Sequence, residues 1–189
     1  MKADAPERPE SPSEGLRATL RAATALPHER LDRLMSGLDI AEPAGRRRFS
    51  IIMFRGYLRL GAACGWDAAE GTRPLGRLLR ALWRDEVEPG ERNARLEADA
   101  PLERDAAAYI VLGSQFGLGA LRSRLPAEGR SGLFAVEADA AGWRAFRRRT
   151  AGPARAADEE ARVVSDAIRG FGIFLEEASA TMKKASRVT

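Results

Sequence analysis

His28 is the only histidine of the 189-residue chain, and so its only imidazole for binding a metal or moving protons near neutral pH. On a helical wheel at 100° per residue it falls at the edge of an apolar stripe, beside Thr24, Leu31 and Met35. Asp32 stands four residues on, one turn along the same face, where a carboxylate can accept an imidazole N–H. Such a bond fixes the tautomer and orientation of a ring whose other nitrogen binds a metal. Arg21 lies two turns before His28, about 10 Å away along a straight helix, which suits an acidic group at the edge of a bound ligand. The ordinary alternative is a surface or half-buried histidine with no ligand, and spacing alone does not choose between them.

A second group lies further along the chain. Ala106, Tyr109, Gly113, Gly117 and Ala120 share one arc of a helix, with two glycines in the middle of a face read as inward. Each glycine costs about 1 kcal/mol relative to alanine in a helix interior. Two such costs point to something that approaches the backbone closely, or to a bend; close packing of helices through small residues is the competing explanation. Tyr109 is either a ligand contact or a core tyrosine with a satisfied hydroxyl. Ser114, beside the glycines, can anchor a water only where other polar groups share in holding it.

Helices must position both groups, and the rest of the sequence supplies them. Residues 1–10 are polar, without periodicity, and read as a disordered tail. Ser11-Pro12-Ser13-Glu14 has the form of a capping box and opens a helix whose apolar stripe runs through Leu16, Leu20, Ala23, Pro27, Leu31 and Leu34. Pro27 should bend it. Further helices are expected over residues 45–64, with Phe49, Ile52, Met53 and Tyr57 inward; over 74–85, with Leu75, Leu78, Leu79 and Leu82 inward; and over 102–124. Residues 86–100 are charged and irregular, and 126–141 read as loop. A short helix carries Trp143 and Phe146, and a last one spans 157–182. No stretch sustains strand alternation. The chain reads as a single all-α domain over residues 11–182, followed by a short tail.

Bulk properties narrow the function classes. Cys64 is the only cysteine, which excludes an intramolecular disulfide and any multi-cysteine metal site. No apolar run approaches the ~20 residues of a membrane span and no signal segment opens the chain, so a cytoplasmic setting is expected. The net charge of +4 suits an acidic partner or an anionic ligand. With few aromatics and no nucleic-acid motif, nucleic acid is not an expected partner.

The two chemical groups together carry a family resemblance. The segment Leu16-Arg17-Ala18-Thr19 through Thr24-Ala25-Leu26-Pro27-His28-Glu29-Arg30-Leu31 resembles the proximal helix of bacterial heme oxygenases, with a threonine four residues before the ligand histidine. Tyr109-Ile110-Val111-Leu112-Gly113-Ser114-Gln115-Phe116-Gly117 is similar to their distal helix, where a tyrosine precedes Gly-Ser and then a Gly-Gly pair. Trp143, Phe146, Phe171 and Phe174 suit the family's C-terminal half, so the resemblance runs from about Glu14 to Ala180. Two positions depart from it. Leu112 stands where bacterial members commonly carry glutamate, and Leu118 where the second glycine or an alanine is usual.

The resemblance implies an all-α heme oxygenase-like fold that holds heme, at once cofactor and substrate, between a proximal and a distal helix. His28 would be the proximal iron ligand, with Arg21, Thr24, Asp32 and Tyr109 around the heme. Gly113, Ser114 and Gly117 would form the catalytic distal side. A neutral imidazole pushes less electron density onto iron than a thiolate, which favours O–O cleavage. Oxygen and electrons would convert heme to biliverdin, carbon monoxide and iron. The electrons would come from an acidic donor such as a ferredoxin, a flavodoxin or their reductase, and a monomer is the default state. Two other classes compete: a non-catalytic heme carrier or sensor of the same fold, and a helical interaction module in which His28 and the glycines only pack.

Overall fold

Pro27 decides how the chain begins. It has no amide to offer the carbonyl of Ala23, four residues back, and its ring crowds that carbonyl. In the computed structural model, which describes residues 15–65, 72–85, 99–151 and 155–185, the expected first helix is therefore split in two. Helix α1 (Leu16–Ala23) ends at Thr24, and α2 (Ala25–Ser36) starts immediately after it. Thr24 bridges the break. Its amide and its hydroxyl both bond to Leu20 O, at 2.9 and 2.7 Å, and its carbonyl accepts from His28 N at 3.0 Å. The proposed capping box at residues 11–14 lies outside the described residues; α1 is entered through Gly15 in extended conformation.

All regular structure among the described residues is helical. Helix α3 (Pro43–Cys64) opens with proline at its first turn, where no amide is needed, and closes at Gly65, whose φ of 67° suits a residue without Cβ. Its apolar residues point several ways: Phe49, Ile52, Met53, Phe54, Tyr57 and Leu60 are all buried. Helix α4 (Thr72–Asp85) lays its expected leucine stripe of Leu75, Leu78, Leu79 and Leu82 against this core. Helices α5 (Arg104–Arg122), α6 (Ala140–Thr150) and α7 (Ala157–Ala185) complete the fold.

Helix α7 is the spine. At 29 residues it is about 44 Å long, and it packs against α1, α2, α3 and α5. Asp158, Glu159 and Glu160 occupy its first turn and Lys183 and Lys184 its last, each sign matching the adjacent end of the helix dipole. It approaches α3 so closely at Gly56 that a Cβ there would lie 2.4 Å from the Phe174 ring. At Gly170 a Cβ would lie 2.3 Å from Ile110 Cδ1 of α5.

Two apolar cores result. The larger surrounds α3; the smaller gathers Leu16, Leu20, Ala106, Leu112, Phe146, Val163 and Ala167, and Tyr109 packs against both. The stretch read as loop, 126–141, is more ordered than expected. Two 3₁₀ turns, Ala127–Gly129 and Gly132–Ala135, bury Leu133 and Phe134 in the larger core. Asp139 then caps α6 by accepting from Gly142 N at 2.8 Å, while its own amide donates to Gln115 Oε1 at 2.8 Å. Helix α7 continues through Ala185, past the expected end of the domain at 182. The proposed tail at 1–10 and residues 86–98 of the irregular segment lie outside the described residues.

Candidate functional site

The α1–α2 break meets α5 at one point. The Tyr109 hydroxyl lies 3.4 Å from Thr24 Oγ1, a weak bond by its length, in which tyrosine donates because the Thr24 proton already goes to Leu20 O. Thr24 is buried there. One turn beyond this contact, α2 carries His28 and α5 carries Gly113; a further turn on, α2 carries Asp32 and α5 carries Gly117. These residues are not buried against each other. His28 is 58% exposed and Asp32 68%, Gly117 is exposed and Gly113 partly so. Beyond the Thr24–Tyr109 contact these positions on α2 and α5 are therefore open to solvent, and both helices pack on α7.

His28 is oriented from two sides. Its Nδ1 lies 2.9 Å from Asp32 Oδ2, as the four-residue spacing predicts. With the proton on Nδ1 donating to the carboxylate, Nε2 keeps its lone pair for a ligand. Below it, Phe171 of α7 meets the imidazole edge to face, with ring centroids 5.5 Å apart. Arg21 is exposed on the last turn of α1, on the other side of the break. The straight-helix distance of about 10 Å to His28 therefore does not apply.

The glycines of α5 face open space. A Cβ built on Gly113, Gly117 or Gly119 meets nothing within 4 Å. This corrects the view of one inward arc on α5. Ala106 is buried in the smaller core, but the same face comes into the open by Gly117 and Ala120. The core side of its second half is instead Val111, Gln115 and Leu118, with Leu112 on the smaller core. Leu112 and Leu118, the two departures from the resemblance, are thus packed in the cores.

Ser114 sits at the flank of Gly113 and turns toward α3. It donates to Val111 O at 3.1 Å and accepts from the Tyr57 hydroxyl at 2.8 Å. Tyr57 is fully buried, and loss of solvation pushes its phenol well above the usual tyrosine range, against a smaller opposing effect of the Ser114 bond. Sequence reasoning placed Tyr57 in the core and Phe171 in the last helix but saw neither as part of the site. Periodicity reports which face of a helix is apolar, not which distant side chain it meets. On the α6 side of α5, Phe116, 43% exposed, meets Trp143 with ring centroids 5.7 Å apart.

Among the described residues no group of three or more His, Cys, Asp or Glu could hold a metal ion. No helix among them is long and apolar enough to cross a membrane. No protein-family model matches the sequence, and no curated protein matches it.

Proposed function

We propose that this chain is a heme oxygenase of heme oxygenase-like fold, binding heme between α2 and α5 and opening its ring. The observation that carries the reading is the pairing of one oriented imidazole with a face of bare backbone. His28, its Nδ1 held by Asp32, has Nε2 free for iron. Gly113 and Gly117 present no side chain and have no neighbour where a flat ring would lie. Heme would supply the iron at which O₂ is reduced and the ring that is cut, giving biliverdin, carbon monoxide and iron.

The chain's own residues have distinct parts in this scheme. Asp32 sets the imidazole tautomer, and Phe171 limits its rotation from below. The Thr24–Tyr109 contact bounds the heme site at one end and ties α5 to the α1–α2 break. Arg21, exposed at the end of α1, is the propionate partner this reading assigns; Tyr109, the other candidate from the sequence, gives its one proton to Thr24 and would reach a propionate only by releasing that contact. The basic surface suits an acidic electron donor such as a ferredoxin or flavodoxin in the cytoplasm, acting on a monomer.

One observation favours a second reading, a heme carrier or sensor. Ser114, the candidate anchor for a water that would deliver protons, has its hydroxyl engaged by Val111 O and Tyr57, which leaves one lone pair for that water. A carrier needs His28 and the open glycine face but no proton path. Hemin titration decides among the classes. A Soret band typical of imidazole-ligated heme supports both heme readings, and no shift supports a packing role alone. Loss of that band under O₂ and reductant, with a bilin spectrum, supports the oxygenase; a stable complex supports the carrier.

A further inference from the structure

A concave site lies away from His28 and the α5 glycines. The first turn of α1 and the last turns of α6 enclose a cleft of about 440 Å³ lined by Gly15, Arg17 and Ala18 on one side and Arg144, Arg147, Arg148, Thr150 and Ala151 on the other. The cleft exists because α1 starts almost in contact with the end of α6. A Cβ on Gly15 would lie 2.9 Å from Thr150 O, so a larger residue would push the two helices apart.

Among the described residues its four guanidiniums share the cleft without a countercharge: none of Arg17, Arg144, Arg147 and Arg148 has an ion pair or a side-chain hydrogen bond, and no carboxylate lines the cleft. The contrast on α6 itself is sharp. Arg149, on another face of the same helix, binds Asp105 at 2.6 Å, and Arg155 takes the other oxygen of that carboxylate.

Helix dipoles explain only half of the cluster. Arg147 and Arg148 sit in the last turn of α6, where a cation is favoured. Arg144 lies nearer the middle of that helix, and Arg17 is in the first turn of α1, the end where a cation is disfavoured. Among the first-turn amides of α1, Ala18 N donates to Gly15 O at 2.7 Å, while those of Leu16 and Arg17 have no acceptor within their own helix and add to the positive field. The opposing carbonyl end of α6 is partly neutralised, because Thr150 Oγ1 donates to Phe146 O at 2.9 Å and to Arg147 O at 3.3 Å.

We infer that this cleft binds a compact polyanion of the polyphosphate type, two or three linked phosphoryl groups held by forked arginine contacts. Guanidinium forks match phosphoryl oxygens in geometry as well as charge. The volume is in the range of small-ligand sites. Among the lining residues there is no aromatic or large apolar side chain to receive a base or a ring, so the anion itself is the recognised part. This inference is independent of the heme reading, since none of the lining residues belongs to the proposed heme site.

The test is calorimetric titration of the full-length protein without hemin. Tripolyphosphate, pyrophosphate, citrate and sulfate are compared at matched ionic strength. Saturable binding of tripolyphosphate and pyrophosphate is expected at one site per chain, at least tenfold tighter than sulfate or citrate. The double variant Arg144→Ala/Arg148→Ala should weaken it at least tenfold, and Arg17→Gln severalfold. Arg144→Lys/Arg148→Lys, which keeps charge but loses the fork, should fall in between. Arg124→Ala, an exposed arginine elsewhere, should match the parent. All these positions are at the surface, and an unchanged thermal midpoint without ligand confirms that each variant folds. Absence of saturable binding, equal binding of all four anions, or tripolyphosphate affinity unchanged in the double alanine variant would each overturn the assignment.

Discussion

The Tyr57 hydroxyl lies 2.8 Å from Ser114 Oγ, linking the most buried helix of the fold to the helix that carries Gly113 and Gly117. The bond is directional. Ser114 spends its proton on Val111 O, so Tyr57 is the donor. It ties the register of α5 to α3 beside Gly113, which makes Tyr57 a positioning residue for the glycine face.

Replacing Tyr57 with phenylalanine should cost about 0.5–1.5 kcal/mol at pH 7, the usual net worth of one hydrogen bond. The larger effect is on pH dependence. Burial raises the folded-state pKa of Tyr57 above its unfolded value, so its contribution is complete below about pH 10 and is lost as pH rises further. The unfolded chain then releases a proton that the folded chain retains, at up to about 1.4 kcal/mol per pH unit. Cys64, also raised by burial, adds a loss of the same sign that starts at lower pH. Urea unfolding at pH 7, 9, 10 and 11 should show Tyr57→Phe declining less steeply than the parent above pH 10. Parallel curves would mean that the phenol is accessible in the folded state.

The close approach of α3 and α7 gives a purely structural prediction. A Cβ at Gly56 would meet the Phe174 ring, which is buried and packed edge-on against Tyr57 at 5.2 Å, with nowhere to move. Gly56→Ala should destabilise by about 1–3 kcal/mol, as overpacking does. Gly170→Ala meets only the tip of Ile110, which can rotate aside, and should cost less. Thermal denaturation of the two variants checks the order.

Much of the helical frame was legible in the sequence, because apolar stripes at helical spacing mark its elements directly, although α3 starts at Pro43, two residues before the expected 45. The His28–Asp32 contact was legible for the same reason, since four residues is one turn. The break at Thr24 was read only as a bend. A helical stripe continues through a proline whether the axis kinks or stops, and the Thr24 hydroxyl that completes the break is a tertiary detail. Nor did the wheel show that the glycine face of α5 passes from core to solvent along its own length. That depends on which other elements cover each turn, which no single helix encodes.

The imidazole assignment predicts a spectroscopic outcome. His28→Ala should abolish the imidazole-type hemin spectrum, and added imidazole should restore it. Asp32→Asn keeps the ring but removes the carboxylate that accepts from Nδ1, so it should weaken hemin binding about 10–100-fold, typical of partners that support a metal ligand. An unchanged spectrum in His28→Ala would show that the ligand lies elsewhere.

At the glycines, stability and binding should move in opposite directions. Space is open around Gly113, Gly117 and Gly119 alike, so alanine at any of the three should stabilise the protein by up to about 1 kcal/mol through helix propensity. Only Gly113 and Gly117 share the Tyr109 face, so leucine at either should weaken hemin binding or block O₂, while Gly119→Ala should bind hemin as the parent does. Equal hemin affinity in all of these variants would remove α5 from the site.

The last prediction concerns turnover and the two leucines that depart from the family pattern. Leu112 is 1% exposed within the smaller core, and Leu118 is 3% exposed within the larger one. Neither side chain enters the space beside Gly113 and Gly117, where the reacting ring edge would lie. Ring opening should therefore proceed without the usual residues at those positions. Hemin, O₂ and a reductase system, with catalase present to remove free peroxide, should yield biliverdin and release iron to a chelator. Leu118→Gly, which restores the family's glycine, should leave the yield per folded molecule unchanged and destabilise the protein. Loss of a buried leucine costs about 2–5 kcal/mol even when alanine replaces it, and glycine adds its helix penalty. A parent protein that forms a persistent oxygenated complex without bilin is a carrier. If Leu118→Gly then gains turnover, Leu118 crowds the heme site after all, and the core placement of its side chain is wrong.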